Sequence, residues 1–389
     1  MTVRMAIMGV CLSLLILTAA AAEDEITADQ DGIGHIVYVY QWGTWEGNTV
    51  DVLQAGELHS LVADQWDTAS GLLVTQIGAE NTAVARQEFS RGDTQEVQQI
   101  GTLNQTVMQQ IDTVESTILA VQTRDDNNAL AEQLYTDFSR TWMAQTGDQN
   151  EALVTQKKAE DSGIFTMQLI DENYAAVEQN DVELNEVRLF QAGLDNWAET
   201  VQEQSKNSTA FKIQHDDGSE ALIYQVESVK DKAVVFQEGR YHHAKARQLQ
   251  SVGNHVHMVQ QGQYQNAAAK QYQTTAAVLE LEQSGSANKA SGEQGSSQAV
   301  GIYAVQDGER NAMSVKQQDA LNSRVHAVQH GYSNAVEARQ ENTAHSTVDI
   351  DQTGTGNVAV AIQSDVIRSA ADIEQEGTGN TAHVQQTRL

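Results

Sequence analysis

Four histidines, His242, His243, His255 and His257, are the nearest approach to a metal-binding set in this 389-residue sequence. Imidazoles hold zinc when several ligands converge, and neither a cysteine nor an Asp or Glu at fixed spacing completes a set here. The four are expected at ordinary outward positions, with no cofactor. No Ser-His-Asp arrangement, phosphate loop or paired catalytic carboxylates rises above the background, so neither an enzyme nor a small-molecule substrate is indicated. The acidic residues could hold Ca²⁺ only diffusely, because no Asp-rich calcium loop is present. With 53 acidic against 23 basic residues and a formal charge of -30, the chain would repel a phosphate backbone, which argues against nucleic acid as a partner.

The residue that does recur at fixed spacing is glutamine, and its chemistry is the amide hydrogen bond. From Gln76 to Gln386, glutamines fall alternately 11 and 12 residues apart without a slip. The unit is therefore 23 residues, the mark of a solenoid whose elements bury their apolar face only by stacking on their neighbours. In the first half of the unit, Gln is followed by Gly two residues on and Asn five residues on. This is intact at Gln76-Gly78-Asn81, Gln99-Gly101-Asn104, Gln145-Gly147-Asn150, Gln191-Gly193-Asn196 and Gln283-Gly285-Asn288. It recurs at Gln306-Gly308-Asn311, Gln329-Gly331-Asn334, Gln352-Gly354-Asn357 and Gln375-Gly377-Asn380. In the second half the turn is one residue longer and Ser most often replaces Asn, as at Ser323, Ser346 and Ser369 before Gln329, Gln352 and Gln375. The Asn-led segments end at glutamines such as Gln340, Gln363 and Gln386.

Between marker and glutamine the residues alternate as in a strand with one buried face. Val336 and Ala338 share the parity of Asn334 and Gln340, while Glu337 and Arg339 take the other face. Val348 and Ile350 face in against Asp349 and Asp351, and Val256 and Met258 against His255 and His257. Charge thus falls on the solvent face almost throughout, with Lys212 the exception. Gly is expected to supply positive φ in the turn, and Asn to tolerate such a conformation while bonding to local backbone. An inward amide left unpaired would cost about 1 to 3 kcal/mol, whereas one stacked on its equivalent in the next rung always has a donor and an acceptor in reach. A slip of one residue would turn every amide outward and every charge inward.

These elements predict an all-β fold, a β-solenoid of about 16 two-stranded strand-turn-strand rungs, ~75 Å long at ~4.8 Å per rung. No proline, 5% aromatic residues and 27 glycines suit regular strands, tight turns and a narrow interior. The organisation read from the sequence is a signal peptide over 1–22, irregular first rungs over 23–75 with an enlarged turn at Trp42–Asn48, and the regular repeat over 76–389. The signal peptide rests on Arg4, an apolar run from Ala6 to Leu17 and the small residues Ala19 to Ala22. Cys11 lies within that run, so the mature chain would have no cysteine and no disulfide.

The pattern Ser, five residues, Gln, any, Gly, any, any, Asn, any, Ala, three residues, Gln resembles the curlin repeat of curli fibre subunits. It is carried by Ser323 to Gln340, Ser346 to Gln363 and Ser369 to Gln386, and the resemblance covers about Gln65 to Gln386. The resemblance implies an exported bacterial protein that stacks end to end as functional amyloid in biofilm matrix. It further implies a homopolymer or a co-polymer with other curlin-repeat subunits, an outer-membrane secretion channel with accessory proteins, and passage through the periplasm to the cell surface or extracellular fibre. The chain departs from the family in carrying many more repeats than its subunits usually have. It also has the acidic segment EDEITADQDGIG where familiar major subunits have a glycine-rich targeting segment. A monomeric solenoid adhesin and a minor or nucleating subunit are the alternatives to a fibre subunit. A polysaccharide-processing enzyme would need longer rungs and a cleft of clustered carboxylates.

Overall fold

The computed structural model describes residues 2–8, 14–19, 24–42, 47–215 and 217–388. Cys11 and Ala20 to Ala22 of the expected leader, residues 43–46 of the enlarged turn, Asp216 and Leu389 lie outside the described residues. The chain forms two units, Met1–Asp195 and Asn196–Leu389, and each is a parallel β-solenoid on a 23-residue repeat. From Glu25–Ile33 to Thr381–Thr387 there are 32 strands, two to a rung. Among the described residues no helix is long and apolar enough to cross a membrane.

In each unit successive strands go alternately to two sheets, so every strand pairs with the strand one repeat away. In the first unit one sheet runs through Thr82–Glu88, Gln105–Ile111 and Asn128–Leu134, with Gln87 beside Gln110 and Gln110 beside Gln133. These strands follow the Asn markers and form the Asn-side sheet. Its counterpart, the Ser-side sheet, runs through Ala69–Ala79, Arg91–Thr102 and Thr117–Thr123, with Gln76 beside Gln99 and Gln99 beside Gln122. The second unit repeats this, for example with Arg324–Tyr332 beside Thr347–Thr355 and Ala335–Glu341 beside Val358–Ser364. A parallel pair needs a crossover between its strands, and here the strand of the opposite sheet serves as that crossover. A register shift between Ala69 and Gly71, opposite Arg91 and Thr94, takes up the irregular spacing of the first rungs. Thr2–Met8 and Leu14–Ala19 also run as strands, parallel to Glu25–Ile33 and Ile36–Trp42.

The interior is a narrow seam between the two sheets. Val336, Ala338, Val348 and Ile350 are buried, with Gln340 and Gln352 beside them. Aliphatic and methionine side chains fill the seam, and no Phe, Tyr or Trp is buried among the described residues. Trp, Tyr and Phe instead lie outside, where Trp42, Trp66 and Phe89 stack along one corner with ring centroids 6.4 and 5.8 Å apart.

Two features of the turns correct the sequence expectation. Asn does not carry the left-handed conformation; the residue before it does, as at Glu80 (φ 55°), Leu103 (φ 58°) and Ser333 (φ 54°). Asn itself begins the next strand with its side chain inward. The longer second-half connection also has an inward residue of its own, three after the glutamine, as at Thr113, Thr136, Thr343 and Ala320. It is flanked by left-handed residues of any type, among them Tyr135 and Phe138.

The glycine two residues after Gln is fixed twice over. Gly331 has φ 112°, and a Cβ there would lie 2.1 Å from the carbonyl oxygen of Gly354 in the next rung. Gly253 is also left-handed, at φ 65°, but a Cβ there would meet nothing within 4 Å. Gly331→Ala should therefore lower the urea midpoint clearly more than Gly253→Ala, whose cost is that of left-handed backbone alone, about 1 to 2 kcal/mol. Equal shifts in parallel denaturation curves would show that the carbonyl contact is not what selects glycine.

Candidate functional site

Within each unit the inward amides line up into hydrogen-bonded runs along both sheets. In the first unit each Nε2 donates to the next Oε1 at 2.7–3.0 Å along Gln30, Gln54, Gln76, Gln99, Gln122, Gln145, Gln168 and Gln191. On the Asn-side sheet the run from Gln41 through Gln65, Gln87, Gln110, Gln133 and Gln156 to Gln179 has bonds of 2.7–3.1 Å. In the second unit one run joins Gln214, Gln237, Gln260, Gln283, Gln306, Gln329, Gln352 and Gln375 at 2.6–3.0 Å. Its companion joins Gln202, Gln225, Gln248, Gln271, Gln294, Gln317, Gln340, Gln363 and Gln386 at 2.7–3.0 Å.

The second amide proton often crosses the seam to the opposite sheet, as from Gln99 to Thr82 O (3.0 Å) and from Gln363 to Thr347 O (3.0 Å). Turned over, Gln352 would reach Ala335 O and the Ala359 amide, but its nitrogen would then face Gln329 Nε2. The bonds on both sides hold it in the donating sense. Every run thus has one polarity, with donors pointing toward the C-terminal rungs.

The Asn markers form a second ladder that is tied to the glycines. Asn104 N and Nδ2 both donate to Asn81 Oδ1, at 3.0 and 3.1 Å, while Asn81 Nδ2 reaches Ile77 O and Gly101 O. Asn150 Nδ2 donates to Ile170 O (2.7 Å), and the Ser219 amide to Asn196 Oδ1 (3.1 Å). In the second unit the amides of Asn311, Asn334, Asn357 and Asn380 donate to Asn288, Asn311, Asn334 and Asn357 at 2.9–3.0 Å. The Nδ2 groups of Asn288, Asn311, Asn334 and Asn357 donate to Gly308, Gly331, Gly354 and Gly377 O at 3.0–3.1 Å. The carbonyl that accepts from Asn is thus the one that excludes a Cβ from the glycine one rung earlier. Gly147, Gly193 and Gly285 hold the same positive φ, at 128°, 133° and 97°. The Ser ladder is simpler: Ser346 N donates to Ser323 Oγ and Ser369 N to Ser346 Oγ, both at 3.3 Å.

Several marker positions hold residues that the sequence placed elsewhere. His242 is buried, not outward: it replaces Asn, its Nε2 lies 3.0 Å from Glu238 O, and its Nδ1 accepts from the Gln265 amide. His35 and His59 occupy the same position and stack at 5.1 Å. Burial pushes the His59 imidazole below its ordinary pKa. His243, His255 and His257 do face outward, with His243 Nδ1 2.8 Å from Glu220. Among the described residues no group of three or more His, Cys, Asp or Glu could hold a metal ion.

Charge also enters the seam. Asp93 and Asp231 stand in for Ser, accepting from the Ser116 and Asn254 amides at 2.8 and 2.9 Å. Lys212 is buried, its Nζ donating to Ala221 O (2.9 Å) and to Glu199 O, and burial holds its amine well below the ordinary value. Nothing in the structure explains a lysine at that rung.

At the last described rung the seam is open. Asn380 is exposed and Ala382, Val384 and Gln386 are half-buried, whereas their equivalents one rung earlier, Asn357, Ala359, Ala361 and Gln363, are buried. Toward the N-terminus, Gln30 Oε1 and Gln41 Oε1 are buried and accept no hydrogen bond from the described residues. Their register partners are Ile7 and Ala19, residue types without a side-chain donor. No family model matches the chain, and no curated protein matches it.

Burial raises the carboxyl pKa of Asp93 and Asp231 above 3.8, and this outweighs the hydrogen bonds they accept. The folded state then holds these protons more tightly than the unfolded chain does, so stability is full below about pH 3.8 and is lost as pH rises through the folded value. Asp93→Ser and Asp231→Ser should each raise the urea midpoint near pH 7 and leave it unchanged near pH 3. A gain that is the same at both pH values would mean that the carboxylate charge is not the cause.

Proposed function

We propose that the chain, once residues 1–22 are removed, is an exported structural subunit that stacks end to end into curli-like extracellular amyloid fibres. The observation that carries this reading is the polarity of the glutamine runs. Among the described residues nothing donates to Gln30 Oε1 or Gln41 Oε1, and at the other end Gln375 and Gln386 accept at Oε1 and present their Nε2 groups beyond. A second copy stacked in the same direction would place donors against acceptors and continue the parallel strands across the junction. Uncovered strand edges are templates for this kind of pairing. The resemblance to curlin repeats supports the same reading and adds biofilm matrix as the setting, with secretion through an outer-membrane channel.

One feature favours a second reading, a surface-binding adhesin. On the outer face of the Ser-side sheet of the first unit, Leu53, Thr75, Gln98, Val121, Ala144, Met167 and Phe190 form one uncharged column. Trp142, 43% exposed, packs edge-on against Phe165 beside it at 4.6 Å. An uncharged and mostly apolar strip on so acidic a chain is suited to contact with another surface.

Two experiments separate these readings. Chain 23–389 should form fibres that bind amyloid dyes and diffract at ~4.7 Å along the fibre axis, while chain 1–389 should lag well behind, because Ile7 and Ala19 cannot donate to Gln30 and Gln41. Equal rates would remove the ladder junction from the account, and no fibres from either chain would favour the adhesin. Replacing Gln329, Gln352 and Gln375 together by Glu should abolish dye-positive fibres, because three buried carboxylates would lie one rung apart. Glu337→Gln, Asp349→Asn and Asp372→Asn, all on the outer face, should leave fibre formation intact. Similar loss in both sets would contradict the inward assignment.

A further inference from the structure

In the unit Asn196–Leu389 one sheet carries a basic patch on its outer face and the other sheet an acidic patch. On the Asn-side sheet, Arg247, Lys270, Glu293, Lys316 and Arg339 occupy one outward column on five successive strands. The register puts Arg247 beside Lys270 and Lys316 beside Arg339, so like charges lie one rung apart, about 4.8 Å. Like charges directly opposite destabilise a sheet. The one anion of the column, Glu293, lies 3.7 Å from Lys270 and 3.8 Å from Lys316, and so is shared between two ammonium groups. Beside the column runs a shallow groove of about 330 Å³ floored by Ala268, Ser291 and Ser314, with Lys245 at its edge.

The last two described strands of the Ser-side sheet of the same unit show the reverse. Asp349 and Asp351 on Thr347–Thr355 stand in register with Asp372 and Glu374 on Ala370–Thr378. Neither strand carries a lysine or arginine. Here too like charges are stacked one rung apart, relieved only where His326 bonds Asp349 at 3.0 Å.

We propose that the basic face of this unit binds the acidic face of a second copy, side by side. A chain of formal charge -30 repels its own kind, and this cationic column is a place where an acidic neighbour gains by approaching. Both faces are stacks with the same rung spacing, so a charge aligned on one rung is aligned on the next whatever the offset in whole rungs. Arg339 is already held by Glu341 at 2.5 Å, so the relief falls on Arg247 and Lys270 of one face and on Asp351 and Glu374 of the other. Because the two faces belong to different sheets, the contact is heterologous and leaves a free face on each copy, which gives sheets or bundles and not a closed pair. The acidic patch spans two rungs, so one contact with the seven-residue strands of the basic face covers about 200 Å² per copy, far below the ~800 Å² per partner of a stable pair. The contact therefore acts where copies are already stacked and many such faces engage together. In that respect it rests on the fibre reading.

The test uses chain 23–389 in about 10 mM and about 300 mM NaCl. Fibre width is read by negative-stain electron microscopy and fibre mass by dye fluorescence. Wild-type fibres should bundle in low salt and separate into single fibres in high salt, with dye signal retained. Lys245→Glu with Arg247→Glu and Lys270→Glu should give single fibres in low salt, and so should Asp349→Lys with Asp351→Lys and Asp372→Lys. Mixing the two variants should restore bundles. Variants that bundle like the wild type, or bundles that thicken in salt, overturn the proposal. So does tight binding of poly-glutamate by wild-type fibres that never bundle, which would assign the face to a soluble acidic polymer. If no fibres form, the fibre reading fails by the dye signal alone. The lateral contact, which needs stacked copies, falls with it, whereas dye-positive fibres that stay single in low salt overturn the contact alone.

Discussion

In a parallel stack with one fixed register, every residue meets its own equivalent above and below. This constraint decides which residue types each position can hold. Aliphatic side chains tolerate self-contact, amides satisfy themselves because each has a donor and an acceptor, and like charges repel. The runs from Gln30 to Gln191 and from Gln214 to Gln375 follow from it, as does the column of buried Ala and Val beside them. The glycines follow as well. Once Asn311 reaches Gly331 O, that carbonyl occupies the place of a Cβ at Gly308, 2.1 Å away. The hydrogen bond and the exclusion are two sides of one contact.

The same constraint marks the residues that break it. Asp93, Asp231, His242 and Lys212 sit where neutral polar or aliphatic groups sit elsewhere, and each takes its hydrogen bonds from backbone or from small hydroxyls. Their neighbours are of other types, so none of these four meets its like. On the outer face, where solvent softens repulsion, like charges do stack. The inner seam therefore holds isolated exceptions and the surface holds patterns.

Much of this was legible in the sequence because a ladder must repeat its residue type at every rung. The glutamine frame, the alternation in Asn334 to Gln340 and the two-stranded rung could all be read from spacing. Other features lacked a repeated type. The inward position after the second-half glutamine is Thr at 113 and 136, Ala at 320 and Val at 366, so only its size recurs. Left-handed turn residues such as Tyr135, Leu184 and Lys230 carry no signal of Gly or Asn, because the rung-to-rung bonds around them impose the conformation. His242 stands five residues after Gln237, at the Asn position, but its residue type does not recur there on neighbouring rungs; its ring imitates the amide of Asn. The candidate residues were found by position; that their runs share one polarity is a matter of geometry that no residue count contains.

Every strand pairing in the described residues joins segments about one repeat apart in the chain. Contacts of this range close loops of one modest length, so the entropy cost of adding a rung is nearly the same at every step. Folding can then begin at any rung and spread along the chain, as in a one-dimensional lattice of coupled sites. A segment that is free in solution can order on the rung before it without waiting for the distant terminus. The late stages of folding and the addition of a new chain would then be the same elementary event, differing only in whether the incoming strand is covalently attached.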